Sequence, residues 1–164
     1  MTEWPWQYDR RVRYLLELSI YDDEGMRFHI EGMDGQLIIA LDERLLVVKP
    51  GFVREPDFGG LVASIYYGDI DRIQTRKGQT NWTVAVRSQD YQLNESNAQS
   101  YQGNWVSQAK DFFLSNDPTS IPITRWQLDR YRPRLLELSE LVREARETPK
   151  SMGANSAGEQ PNGE

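Results

Sequence analysis

Two apolar runs rich in branched residues lie almost back to back in this chain. They are Gln36 to Leu41 and Arg44 to Lys49, with only Asp42 and Glu43 between them. A two-residue polar gap between such runs predicts a tight β-hairpin. Neither run approaches the roughly 20 apolar residues that a helix needs to cross a bilayer. A chain of 164 residues built around this hairpin has room for one ordinary domain.

The strand period continues on either side. Arg27-Phe28-His29-Ile30-Glu31 alternates polar and apolar, as a half-buried strand does. Turn formers Pro50, Gly51, Pro56, Gly59 and Gly60 make 50–60 a loop. Leu61 to Tyr67 reads as a strand, Gly68-Asp69 breaks it, and Ile70 to Arg76 follows. Lys77-Gly78 turns the chain into Asn81 to Ser88, where Trp82, Val84 and Val86 share one face. Upstream, Tyr8, Val12, Leu15 and Leu16 have the spacing of a short amphipathic helix, stopped by Asp22-Asp23-Glu24-Gly25.

Residues 89–123 read as a long insert. Asp90 to Asn104 is rich in Gln, Asn and Ser, as loops are, and Trp105, Ala109, Phe112 and Phe113 predict one or two helical turns. Thr124-Arg125-Trp126-Gln127 has the form of a capping box. From there Leu128, Tyr131, Leu135, Leu138, Val142 and Ala145 form one apolar stripe on a helix ending near Glu147. Pro133 is expected to kink or split that helix. The expected layout is an N-terminal helical extension over 1–24, a domain over 25–147 and a disordered polar tail over 148–164. The tail agrees with a mean hydropathy of −0.68. The fold class read from the pattern is mainly β with α, an antiparallel meander closed by the C-terminal helix.

Charge and composition narrow the function classes. Nineteen basic against twenty-five acidic residues give a net charge of −6. That is a poor start for nucleic acid or an anionic membrane surface, both of which need clustered cations. There are no cysteines, so disulfides, thiolate nucleophiles and cysteine-bound metals are excluded. Disulfide-free composition and an N-terminus without a basic, apolar leader point to the cytoplasm. No cofactor motif is present in the sequence.

Longer stretches carry a resemblance. Gln36 to Val48 resembles the "strand, Asp, turn, Arg-Leu, strand" hairpin of bacterial pleckstrin-homology-like (PH-like) domains, with Leu41 in place of the usual Thr. Val62-Ala63-Ser64-Ile65-Tyr66-Tyr67-Gly68-Asp69-Ile70-Asp71-Arg72-Ile73 is similar to their next signature. Arg76-Lys77-Gly78, the strand after it and Ile121-Pro122-Ile123-Thr124 extend the likeness over roughly residues 25–147. The likeness is to PH-like proteins of unknown function from actinobacteria and their phages. It implies a curled antiparallel barrel of about six to seven strands, capped by the C-terminal helix. It also implies binding of lipids, peptides or proteins, and in some relatives assembly into rings.

Each candidate site also has a plain structural reading. His29, the only histidine, alternates onto the polar face of its strand and has no triad partner, so it reads as a surface side chain. Asp22, Asp23 and Glu24 lack the alternation of a calcium loop and read as a solvated turn. Asp69 reads as a turn residue. Arg130 and Arg134 read as part of an ion-paired helix face. In lipid-binding PH domains, cations around an early loop grip phosphates. Here Lys49 and Arg54 are opposed by Glu55 and Asp57, and Phe52 and Phe58 are candidate anchors.

The expected function is a non-catalytic module that binds a protein or peptide. The candidate contacts are Phe52, Arg54, Phe58, Tyr101, Trp105 and Phe112, or an added strand on an exposed sheet edge. The alternatives are peripheral membrane binding through Lys49 and Arg54, and self-assembly into a homo-oligomer.

Overall fold

The computed structural model describes residues 4–50, 60–95 and 118–148, with no account of the side chains of Asn94 and Glu95. After a short 3-10 turn at Trp4–Gln7, helix α1 spans Arg10–Ser19. Asp9 caps it, its carboxylate accepting from the N–H groups of Arg11 and Val12. Eight strands follow: β1 (Met26–Glu31), β2 (Leu37–Leu41), β3 (Arg44–Pro50), β4 (Gly60–Tyr66), β5 (Ile70–Lys77), β6 (Trp82–Ser88), β7 (Gln92–Glu95) and β8 (Ser120–Ile123). Helix α2 spans Arg125–Glu147.

The architecture is mixed α/β, with two antiparallel sheets ordered β1-β2-β3-β4-β7 and β5-β6-β8. The hairpin forms where the two apolar runs place it, with Ile39 opposite Leu46 and Ala40 opposite Leu45. The expected closed barrel does not form among the described residues. Strands β4 and β5 are consecutive in sequence, but a 3-10 turn at Tyr67–Asp69 sends β5 into the second sheet.

Two apolar clusters explain why β2 and β3 read as continuous runs. Alternate residues such as Ile30, Ile38, Leu45, Val47 and Ile65 face the second sheet and the α2 stripe of Leu128, Tyr131, Leu135 and Leu138. The intervening ones, Ile39, Leu41, Leu46, Val48 and Val62, pack under Val12, Leu15 and Leu16 of α1. Both faces of the large sheet are covered, and every residue of β2 and β3 is buried. Strands buried on both faces lose alternation. Two glycines mark the closest approaches. A Cβ on Gly32 would overlap the Pro122 carbonyl oxygen, and one on Gly60 would lie 2.6 Å from Leu15. At Gly32 only a residue without a side chain lets the two backbones meet, and at Gly60 a positive φ of 152° adds to the crowding.

The capping box is complete. Thr124 Oγ1 accepts from the Gln127 N–H, and Gln127 Oε1 accepts from the Thr124 N–H. Two sequence expectations are corrected. Helix α2 runs unbroken through Pro133. A proline there costs one backbone hydrogen bond, about 3 kcal/mol, which burial of the stripe on both sides outweighs. Residues 92–95, expected in a loop, form β7. That segment has one apolar residue, so its ladder to Leu61–Ser64 of β4 makes it a strand rather than its own propensity. The insert beyond Glu95 and the region expected as a tail lie outside the described residues, apart from Pro118–Ile123 and Thr148. No described helix is long and apolar enough to cross a membrane.

Candidate functional site

Three places gather polar or titratable groups. The first is the anchor of α1. Arg44 opens β3 and is 2% exposed. Its guanidinium donates from Nε and Nη2 to the two Glu24 carboxylate oxygens (2.8 and 2.7 Å), from Nη1 to Ser64 Oγ (2.7 Å) and from Nη2 to the Ser19 carbonyl (2.7 Å). Tyr21 lies over it at 4.2 Å. Burial alone would raise the Glu24 pKa, but hydrogen bonds from Arg44 and from the Tyr21 N–H hold it below the carboxylate value. The sequence alone places Glu24 in a solvated turn. Its carboxylate is instead the partner of a buried cation, and the cluster ties the end of α1 to β3 and β4. Among the described residues no group of acids or histidine could hold a metal ion.

The second place is the outer edge of β1. His29 does lie on the polar face, but it is half-buried, because Tyr8 and α2 close over it. Tyr8 Oη is 2.7 Å from Nδ1, and Glu31 Oε1 is 3.5 Å from Nε2. Tyr131 donates to Glu31 Oε2 at 3.2 Å, and Arg134 Nη1 donates to the His29 carbonyl at 2.6 Å. Gln127 Nε2 donates to the Gly32 carbonyl at 2.9 Å. Side chains of α2 therefore cover the free edge of β1, one of the ways an exposed edge is blunted. Arg134 spends its donors on that edge rather than on an exposed ion pair, and Arg130 stacks on Trp126 and Tyr131.

Burial pushes the Tyr8 phenol up to about 12, with Glu31 adding to the rise. Burial pushes His29 down, and Arg134 and Arg130 reinforce this against the opposing pull of Glu31. A histidine depressed in the fold takes its proton in the unfolded chain first. Stability is therefore whole above the ordinary value of 6.5 and falls as pH drops from there towards the depressed value. Urea midpoints of the native chain are expected to decline through that window, and those of His29→Gln to stay flatter. The same slope in both proteins would remove His29 as the cause.

The third place lies between α2 and β5. Among the described residues strand β5 is hydrogen-bonded to a neighbour on one side only, and most of it is exposed or half-exposed. Beside it runs a trough of two adjoining cavities, about 490 and 250 Å³. Ile73 lines both, with Trp82, Leu128, Leu135 and Val142 forming the rest of the apolar floor. Leu136 stands on the rim, 65% exposed. Arg146 Nη1 donates to the Asp71 carbonyl at 2.8 Å and closes one end of the edge.

Of the side chains expected to bind a partner, Phe52, Arg54, Phe58, Tyr101, Trp105 and Phe112 lie outside the described residues. Lys49 lies in β3 and is 1% exposed, so its ammonium is not offered to a lipid surface. Asp69 sits in the 3-10 turn as expected, where its carbonyl accepts from Ser88 Oγ at 2.7 Å. No sequence motif marks the trough residues Ile73 and Leu136. The available signal was in β5 itself, where Arg72, Arg76 and Lys77 crowd a strand bounded by turn residues, as charges do on an edge.

Fold and site together define a mixed α/β protein of two antiparallel sheets in which, among the described residues, the edge of β5 lies open beside an apolar trough. The sequence matches no known family model, no curated protein and no solved structure.

Proposed function

We propose that this chain is a non-catalytic interaction module of the PH-like type, working in the cytoplasm, whose partner is an extended segment of another protein. The observation that carries the reading is the open edge of β5 beside the trough under α2. An added strand would satisfy the unpaired main chain of β5 and place alternate side chains in the trough. The hairpin motif at Gln36 to Val48 and the C-terminal helix packed between the sheets agree with the PH-like type. The membrane alternative is weakened by the burial of Lys49, which leaves Arg54 as its only proposed cation.

Selection from a random peptide library followed by amide-shift mapping tests the reading. Selected peptides are expected to shift signals of β5 and α2. Leu136→Ser should weaken their binding by about tenfold or more, the effect of losing one buried leucine contact. Peptides that shift only signals elsewhere would overturn the reading. So would a library without binders while anionic vesicles bind the chain.

A further inference from the structure

The charges around the trough identify the partner's chemistry. We infer that the segment docking on β5 is acidic, with carboxylates alternating with apolar residues. This rests on the reading of β5 as the docking edge.

The chain as a whole carries −6, yet the stretch Arg72–Lys77 carries +3, from Arg72, Arg76 and Lys77, and with Asp71 just before it the whole strand is still +2. The helix rim of the trough is largely neutralised. Arg132 pairs with Asp129 at 3.2 Å, and Arg143 pairs with Glu140 and Glu147. The strand rim is not. Among the described residues Arg72, Arg76 and Lys77 form no ion pair, and all three are exposed. Arg76 makes only a long contact, 3.4 Å, to Gln74 Oε1.

The two-residue period of a strand sorts these side chains. Ile73 and Thr75 line the trough. Gln74 and Arg76 therefore stand on the opposite face, while Arg72, next to a register shift in the ladder, borders the larger cavity. A strand added alongside β5 would follow the same alternation. One set of its side chains would enter the trough beside Ile73 and Thr75, where apolar groups fit. The other set would lie beside Arg76, and carboxylates there or at the end of the trough by Arg72 would meet cations that have no ion pair among the described residues. A second copy of the chain is a poor occupant. Pairing two β5 strands antiparallel would set one +3 stretch against another, and like charges across a ladder repel.

Two synthetic peptides, one alternating Glu and Val and one alternating Ser and Val, are titrated into the full-length labelled chain. Both are expected to shift amides of Arg72–Lys77. The Glu-Val peptide should bind roughly tenfold tighter, the sum of two or three cross-strand charge pairs. High salt should erase most of that advantage. The double variant Arg72→Glu, Arg76→Glu should lose the preference. Arg72→Ser, Arg76→Ser repeats the comparison without charge reversal, and a dispersed amide spectrum shows that each variant is folded. Equal affinities of both peptides at β5 would overturn the acidic partner and leave edge docking standing. If neither peptide shifts β5, the docking edge and the acidic partner fall together.

Discussion

Replacing Arg44 by methionine is expected to cost about 3–5 kcal/mol of folding stability, the usual effect of removing one partner of a buried pair. The loss comes mainly from what remains. The Glu24 carboxylate, only 19% exposed, keeps its desolvation cost without its cation. Ser64 Oγ and the Ser19 carbonyl lose their donors as well. Arg44→Lys should recover only part of the loss. A point ammonium cannot reproduce a planar fork that reaches two carboxylate oxygens, a hydroxyl and a carbonyl together. The double variant Arg44→Met, Glu24→Gln should be less destabilised than the two single losses summed, with a coupling of roughly 0.5–3 kcal/mol.

The sign of the pH effect follows from the depressed Glu24 pKa. The folded carboxyl holds its proton less tightly than the unfolded one. The contribution is therefore present above the ordinary value of 4.5 and is lost as pH falls through the lower folded value. Chemical denaturation of native and Arg44→Met proteins across this range checks both statements. A loss well under 1 kcal/mol at neutral pH would mean that the cluster is a bystander.

This cluster also shows where the sequence stopped being legible. Glu24 sits in an acidic triplet and Arg44 beside a hairpin turn, and each local context describes a solvated residue. Only the path of α1 over the sheet brings them together, and nothing within twenty residues of sequence encodes that path. The hairpin was legible because its evidence is local: two branched runs and the gap between them. Its lack of alternation carried a second message, that both faces of β2 and β3 are covered. The stripe Val12, Leu15 and Leu16 that covers one face was visible too. The pairing of stripe and sheet was not, because apolar surfaces carry no address. The edge of β1 repeats the lesson. Alternation put His29 on the correct face, but Tyr8 and α2 decide how much water reaches it. At the candidate site the charges of β5 were readable, whereas the trough exists only once α2 lies beside the strand.

The larger effect is expected at α1 itself. Leu16 is fully buried between α1 and the sheet. Truncation to alanine removes its contacts and leaves a cavity, so Leu16→Ala should cost about 2–5 kcal/mol. Deleting residues 1–20 should be worse. It would uncover Leu37, Ile39, Leu41, Leu46, Val48 and Val62, which all lie in the cluster closed by α1. It would also remove the carbonyl of Ser19 from Arg44 and the phenol of Tyr8 from His29. An apolar sheet face of that extent does not stay monomeric in water. The truncated chain is expected to bind a hydrophobic dye and aggregate, and to lose the cooperative melting of the full chain. A monomeric truncation that melts within a few degrees of the full chain would make α1 a dispensable extension. The expected outcome makes it a structural layer, because a strand pair apolar on both sides needs two partners and the second sheet supplies only one.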